Sequence, residues 1–182
     1  MKYKTDWLVE ELATINDSTQ AAITTGTCVA LLFDDRKDTR LSATPAAAQT
    51  ILSVEHTQGK NHAFVVGDAL YIELDDGTYH TSDIVSIDHA AGTITITAGL
   101  TSPTTLGASV HVLLGAPITM AAFGTPESPP SPTSTFWGWR GTIPDTQADI
   151  EIGQNIRIQI ELDGGAGLKL RDRVFETVEG WS

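Results

Sequence analysis

The sequence predicts a mainly β protein: a small antiparallel barrel or sandwich, with a short N-terminal helix and a linker-tethered C-terminal β segment. Three observations carry this. Beyond Gly26 the apolar residues alternate with polar ones in the two-residue period of a half-buried strand. The alternating runs are short and are punctuated by Asp-Gly and Ala-Gly turns. Between them lies no helical run of the dozen or more residues that a parallel crossover needs.

At the N-terminus, Thr5 or Asp6 is placed to cap a short helix carrying Trp7, Leu8, Leu12 and Ile15 on one face. Glu10 and Glu11 fall in its early turns, where the helix dipole favours acid. Asn16 to Thr19 are turn formers and end it, so residues 1–25 read as helix and arm. "TCVALLF" is a continuous apolar run that reads as a buried strand, and "DDRKD" after it reads as a solvated turn.

"QTILSVEH" alternates. In "ALYIELDDGTYHTSDIVSID", Leu70, Ile72 and Leu74 share a face, Asp75-Asp76-Gly77 turns the chain, and the return strand carries Ile84, Val85 and Ile87. "DHAAGTITITAGL" repeats the design around Ala91-Gly92, with Ile94 and Ile96 on one side and Thr93, Thr95 and Thr97 on the other. "ASVHVLLG" is a further strand. These elements make residues 26–123 an antiparallel β-domain, with Gly67, Gly77 and Gly92 at bends.

"GTPESPPSPTST", residues 124–135, holds four prolines and reads as an extended linker. Residues 136–182 return to strand patterning. In "ADIEIGQNIRIQIELD", Ile156, Ile158, Ile160 and Leu162 share one face, and Arg157, Gln159 and Glu161 share the other. This segment either completes the first domain or forms a separate interface arm.

The formal net charge of -12, with only 11 Lys and Arg scattered along the chain, disfavours binding nucleic acid through its phosphates. The acid-interrupted N-terminus reads as no signal peptide, and no apolar run approaches the ~20 residues of a membrane span. The chain is expected to fold in a cytoplasm. Cys28 is the single cysteine, so no internal disulfide forms, and its apolar surroundings in sequence make it a small buried hydrophobe.

His56, His62, His80, His89 and His111 show no metal-ligand spacing and read as surface or rim residues. Asp34-Asp35 and Asp75-Asp76 lack the longer loop that holds calcium and read as turns. There is no GxSxG elbow, and "DGGAGLKL" lacks the phosphate-loop pattern. No catalytic residue, metal site or cofactor is expected, and the chain reads as a non-enzyme.

The aromatics point elsewhere. Trp137 and Trp139, two apart in a strand pattern and followed by Arg140, project together and either cover the end of the β-domain or anchor a subunit interface. Trp7 and Trp181 pose the same alternative.

The pattern running from Thr50 to Leu113 resembles a module common in virion structural proteins of tailed bacteriophages. There a strand leads into a "GD.L.I..DDGT" hairpin and then into "V.SID...GTITIT..L....GA.V". The resemblance implies a non-enzymatic structural component of the virion, made and assembled in the host cytoplasm. A neck (head–tail connection) or tail ring protein is the leading form, with arms that reach neighbouring subunits. Its implied partners are copies of itself and other virion structural proteins, without sequence-specific nucleic-acid or membrane binding. The alternative form is a capsid decoration protein or a receptor- or glycan-binding β-module, in which Trp137 and Trp139 would stack on ligand.

Overall fold

The computed structural model describes residues 7–12, 15–16, 21–22, 27–57, 63–123, 138–143, 155–163 and 169–177, and every regular element among them is a strand. The first four are β1 (Trp7–Leu12), β2 (Ile15–Asn16), β3 (Ala21–Ala22) and β4 (Thr27–Arg40). Next come β5 (Ile51–Ser53), β6 (Ala69–Glu73), β7 (Tyr79–Asp88), β8 (Thr93–Ile96) and β9 (Ser109–Leu113). The last are β10 (Ile118–Phe123), β11 (Gly138–Ile143), β12 (Asn155–Asp163) and β13 (Lys169–Thr177). The mainly β, antiparallel class is therefore as expected.

The chain divides into two compact units. One comprises Phe33–Gly115 with Gln154–Ile156, and the other Met1–Leu32, Ala116–Gly153 and Arg157–Ser182. The division differs from the expected domain at 26–123, because Thr27–Leu32 and the β10 residues group with the terminal segments. The proposed linker, residues 124–135, lies outside the described residues.

In the Phe33–Gly115 unit the strands run in the order β4-β9-β6-β7-β8-β5, all antiparallel. Alternation sends Leu70 and Ile72 of β6, Ile84 of β7, Ile94 and Ile96 of β8, and Val110 and Val112 of β9 to one side, where they form a single buried cluster with Leu41, Leu52 and Phe64. Leu74 joins it, as the shared face in the sequence required. The tight bends fall where they were expected: Gly67, Gly77 and Gly92 all have positive φ, at 92°, 76° and 66°.

The sheet is not closed by a continuous ladder. Its two ends, β4 and β5, meet at a seam made of one bridge, Leu41 with Val54. Ser42 N–H donates to Ser53 O at 2.9 Å, Glu55 N–H to Arg40 O at 2.9 Å, and His56 N–H to the Thr39 hydroxyl at 3.1 Å. Gln49 Nε2 donates to Ile51 O at 2.9 Å, which occupies an edge carbonyl of β5 that would otherwise invite another strand.

Two irregularities reconcile the sequence with this sheet. "DDRKD" is not a solvated turn but a bulge inside β4: Phe33 pairs with Leu113 and Asp38 with His111, leaving Asp34–Lys37 looped out. Asp34 is buried and is clasped by Arg36 through Nε at 2.9 Å and Nη2 at 2.9 Å, while Lys37 reaches both carboxylate oxygens of Asp68. These ion pairs let a charged run stay within a strand.

The second bulge is at Val85. Ile84 pairs with Ile96, and Ser86 with Thr95, so Val85 has no partner of its own and is half exposed. Strict alternation cannot turn both Ile84, which is buried, and Ile87, which is partly buried, three apart, to one face. The extra residue does so. Deleting Val85 is therefore expected to leave the fold intact, within about 1 kcal/mol of the parent in urea unfolding. Deleting Asp83, outside the bulge, turns His80 and Ser82 to solvent and should cost more than about 3 kcal/mol. Equal losses from the two deletions would show that the register is wrong.

In the other unit, β1 pairs with β11, which pairs with the second half of β10, while the first half of β10 pairs with β4. β12 pairs with β13 and with β4. Residues of the C-terminal segment thus share a unit with β1, β10 and the start of β4. β2 and β3 form a separate pair.

The expected N-terminal helix is corrected here: Trp7–Leu12 is a strand, and Ile15–Asn16 belongs to the β2–β3 pair. The capping residues Thr5 and Asp6 lie outside the described residues. An isolated helix of this length is marginal, whereas pairing with Gly138–Ile143 supplies a full ladder from a partner that local periodicity does not reveal. β12 departs in a subtler way. Ile156, Ile158, Ile160 and Leu162 are buried as expected, but so are Arg157 and Gln159 on the opposite face.

Candidate functional site

The nominated aromatics separate in the structure. Trp139 in β11 is buried at 5% exposure, opposite Glu11 of β1 and Ala122 of β10. Its indole is thus not exposed. Arg140, the next residue, is exposed, as alternation requires, and stands opposite Glu10 in the ladder. Trp7 opens β1 opposite Ile143, on the same ladder as Trp139. Trp137 and Trp181 lie outside the described residues.

One of the histidines departs from a rim role. His80 is buried on the inward side of β7 and donates from Nε2 to Ala98 O at 3.1 Å. Ser82, two residues on and on the same side, accepts from Ala98 N–H at 2.9 Å. Together they clamp both backbone groups of one loop residue, where a carbonyl or amide left unmet under burial is costly.

His89 Nδ1 sits 2.9 Å from the buried Thr57 hydroxyl, and His56 is exposed. His62 lies outside the described residues. Among the described residues, no three of His, Cys, Asp and Glu gather in a way that would hold a metal ion. Asp76 uses its carboxylate within the turn, accepting from Thr78 N–H at 2.9 Å and Ser102 Oγ–H at 2.7 Å. Cys28 is fully buried, with its sulfur 3.6 Å from that of Met120.

Four aromatic rings, one from each of four adjacent strands, form a row that spacing along the sequence does not signal. Phe33 of β4 lies 5.4 Å from His111 of β9 and 5.2 Å from Tyr71 of β6, and Tyr71 stacks on Tyr79 of β7 at 4.1 Å. Their sequence positions span almost the whole unit, so only the strand order brings them together. The row makes the side of the sheet away from the main cluster aromatic as well.

Among the described residues, the exposed large apolar side chains other than Ile51 stand at the two ends of this sheet. At one end the 42–50 loop, the β6–β7 turn and the 97–108 loop are tied together. Thr104 N–H donates to Pro45 O at 3.4 Å and Asp75 N–H to Pro103 O at 3.2 Å. Neither residues 41–50 nor 97–108 include an Asp, Glu, Lys or Arg, but exposed Asp75 and Asp76 of the β6–β7 turn stand at this end, and exposed Arg40 donates from Nη1 to Gly107 O at 3.2 Å. Leu106 stands out from it at 65% exposure.

The other group of exposed apolar residues is Val65, Val66 and Val85, at 51%, 65% and 51%. Gly67 N–H to Ile84 O at 2.9 Å, with Ile84 N–H to Asp68 O at 2.9 Å, sets Val66 beside Val85. β6 and β9 are antiparallel neighbours, so Val66, just before β6, and Leu106, just before β9, lie at opposite ends. Single exposed apolar residues such as Leu106 are ordinary on a protein surface, whereas Val66 and Val85 stand side by side.

No protein-family model matches this chain, and no curated protein matches it either.

Proposed function

We propose that this chain is a non-enzymatic structural component of a tailed-phage virion, a ring-forming protein of the neck or tail. The observation that supports this most is a coincidence of boundaries. The stretch that carries the resemblance, Thr50 to Leu113, lies inside one compact unit, Phe33–Gly115, built of successive hairpins. A motif that fills most of a folding unit is a better pointer to shared architecture than one scattered over loops. The polar groups in that unit, His80, Ser82, Asp76 and the Asp34–Arg36 pair, serve loops, turns and bulges, which suits a building block. In this reading Arg140, with Trp7, Trp137 and Trp181, belongs to the arms that meet neighbouring subunits, while Trp139 steadies the strand that presents Arg140.

The test is mass spectrometry of purified particles from the culture that produces this chain, followed by a map of the particle. Recovery in stoichiometric amounts at the neck or tail is expected. Absence from purified particles overturns the reading, and density on the capsid exterior or at a fibre tip replaces the ring by a decoration or receptor-binding role.

A further inference from the structure

We propose that Asp76-Gly77, in the β6–β7 turn, is a latent isomerisation site that the docked 97–108 loop keeps closed. A glycine after an aspartate puts no side chain in the way when its amide nitrogen attacks the side-chain carboxyl, so Asp-Gly is the aspartyl pair most open to this reaction. The Gly77 nitrogen bonds to the Asp76 side-chain carboxyl carbon, and its proton leaves with the carboxyl hydroxyl as water. The succinimide ring so formed then takes up one water at the Asp76 main-chain carbonyl. It opens with the chain running through the side-chain carboxyl, one methylene longer, as isoaspartate.

The reaction needs a free amide nitrogen and a carboxyl free to give up a hydroxyl, and the turn withholds both. Gly77 N–H donates to Leu74 O at 3.1 Å. Asp76 Oδ1 accepts from Thr78 N–H at 2.9 Å and from the Thr78 hydroxyl, and Oδ2 accepts from Ser102 Oγ–H at 2.7 Å. Hydrogen bonds to a charged group are the stronger kind, and these must be given up before the carboxyl reacts.

The Ser102 donor comes from 26 residues further on, so the guard is complete only while its loop is seated. Two more bonds seat that loop on the same hairpin. Asp75 N–H donates to Pro103 O at 3.2 Å, and the hydroxyl of fully buried Thr104 donates to Glu73 O at 2.7 Å. Asp76 itself is exposed, so it is these bonds rather than burial that protect it. Each conversion to isoaspartate therefore records an opening of the 97–108 loop.

Isoaspartate at residue 76 is measured by peptide mass spectrometry of the full chain, aged in neutral buffer and, in parallel, in concentrated urea. The native parent is expected to convert about tenfold or more slowly than the unfolded parent, which is the effect of one hydrogen bond to a charged group. Native Ser102→Ala is expected to convert about tenfold faster than the native parent. Ser102→Thr, which keeps the hydroxyl, should convert at the parent rate. In urea all three should convert alike.

A native parent that converts as fast as the unfolded chain overturns the proposal, as does Ser102→Ala at the parent rate. Ser102→Thr converting as fast as Ser102→Ala also overturns it, because the hydroxyl would then not be the guard. Thermal melts confirm that each variant is folded. If Ser102→Ala melts early, Thr78→Val, which removes the other hydroxyl from the same carboxylate, takes its place: faster conversion supports the guard, and the parent rate overturns it.

Discussion

Replacing Gly99 with alanine is expected to destabilise the Phe33–Gly115 unit by about 3 kcal/mol or more. A Cβ at this position would lie 2.4 Å from Ala48 O, 2.7 Å from Ala48 C and 2.9 Å from Ala48 Cα, distances that no real Cβ tolerates. All three atoms are backbone, so no side-chain rotation relieves the clash. The neighbouring hydrogen bonds hold the segments in place: Ala48 N–H donates to Leu100 O at 2.8 Å, and Leu100 N–H to Gln49 O at 3.2 Å. Separation of the two loops would break both, and with them the end of the sheet that carries Leu106. The measurement is the urea midpoint. Adding Ala48→Gly should not rescue it, because the colliding atoms remain. A Gly99→Ala variant as stable as the parent would show that these loops are not packed as described.

The second large effect is expected in the centre of the sheet. Ile72 is fully buried in β6, opposite His80 of β7 and Val110 of β9. With strands on both sides and the apolar cluster above it, the site has little freedom to collapse around a lost side chain. Ile72→Ala should therefore cost about 2–5 kcal/mol, a large share of the ~5–15 kcal/mol that holds a typical domain together. Val85→Ala is the control, since Val85 is half exposed on its bulge and should change stability by only about 0.5 kcal/mol. Comparable losses at the two positions would place Ile72 outside the core.

The hairpins were legible because their information is local. Leu70, Ile72 and Leu74 alternate along one strand, and Asp76-Gly77 and Ala91-Gly92 turn the chain within a few residues, so pattern and outcome share a length scale. What was not legible depends on distant partners. Trp7–Leu12 became a strand because residues 138–143 lie beside it, and "DDRKD" stayed in β4 because Asp68, some thirty residues on, pairs with Lys37. His80 was mistaken for a rim residue because its position beside a turn hides the loop carbonyl that it holds. The aromatic row was missed for the same reason, as its four rings come from four strands. The end of the sheet that carries Leu106 was half visible: the absence of charge in two loops is plain in the sequence, but their meeting there is a property of the ladder order.

The pairing of β1 with β11 also sets a schedule for synthesis. Trp7 stands opposite Ile143, so β1 must wait for 136 further residues before its partner exists. At the ~5–20 residues per second of translation, that interval is between about 7 and 27 s. Throughout it a segment with four apolar residues, "WLVEEL", has no native ladder, while neighbouring ribosomes on the same message hold identical segments. The adjacent Glu10 and Glu11 give these nascent strands like charges, which oppose their joining one another edge to edge. Replacing the pair would leave the finished ladder its backbone bonds and remove that safeguard during synthesis.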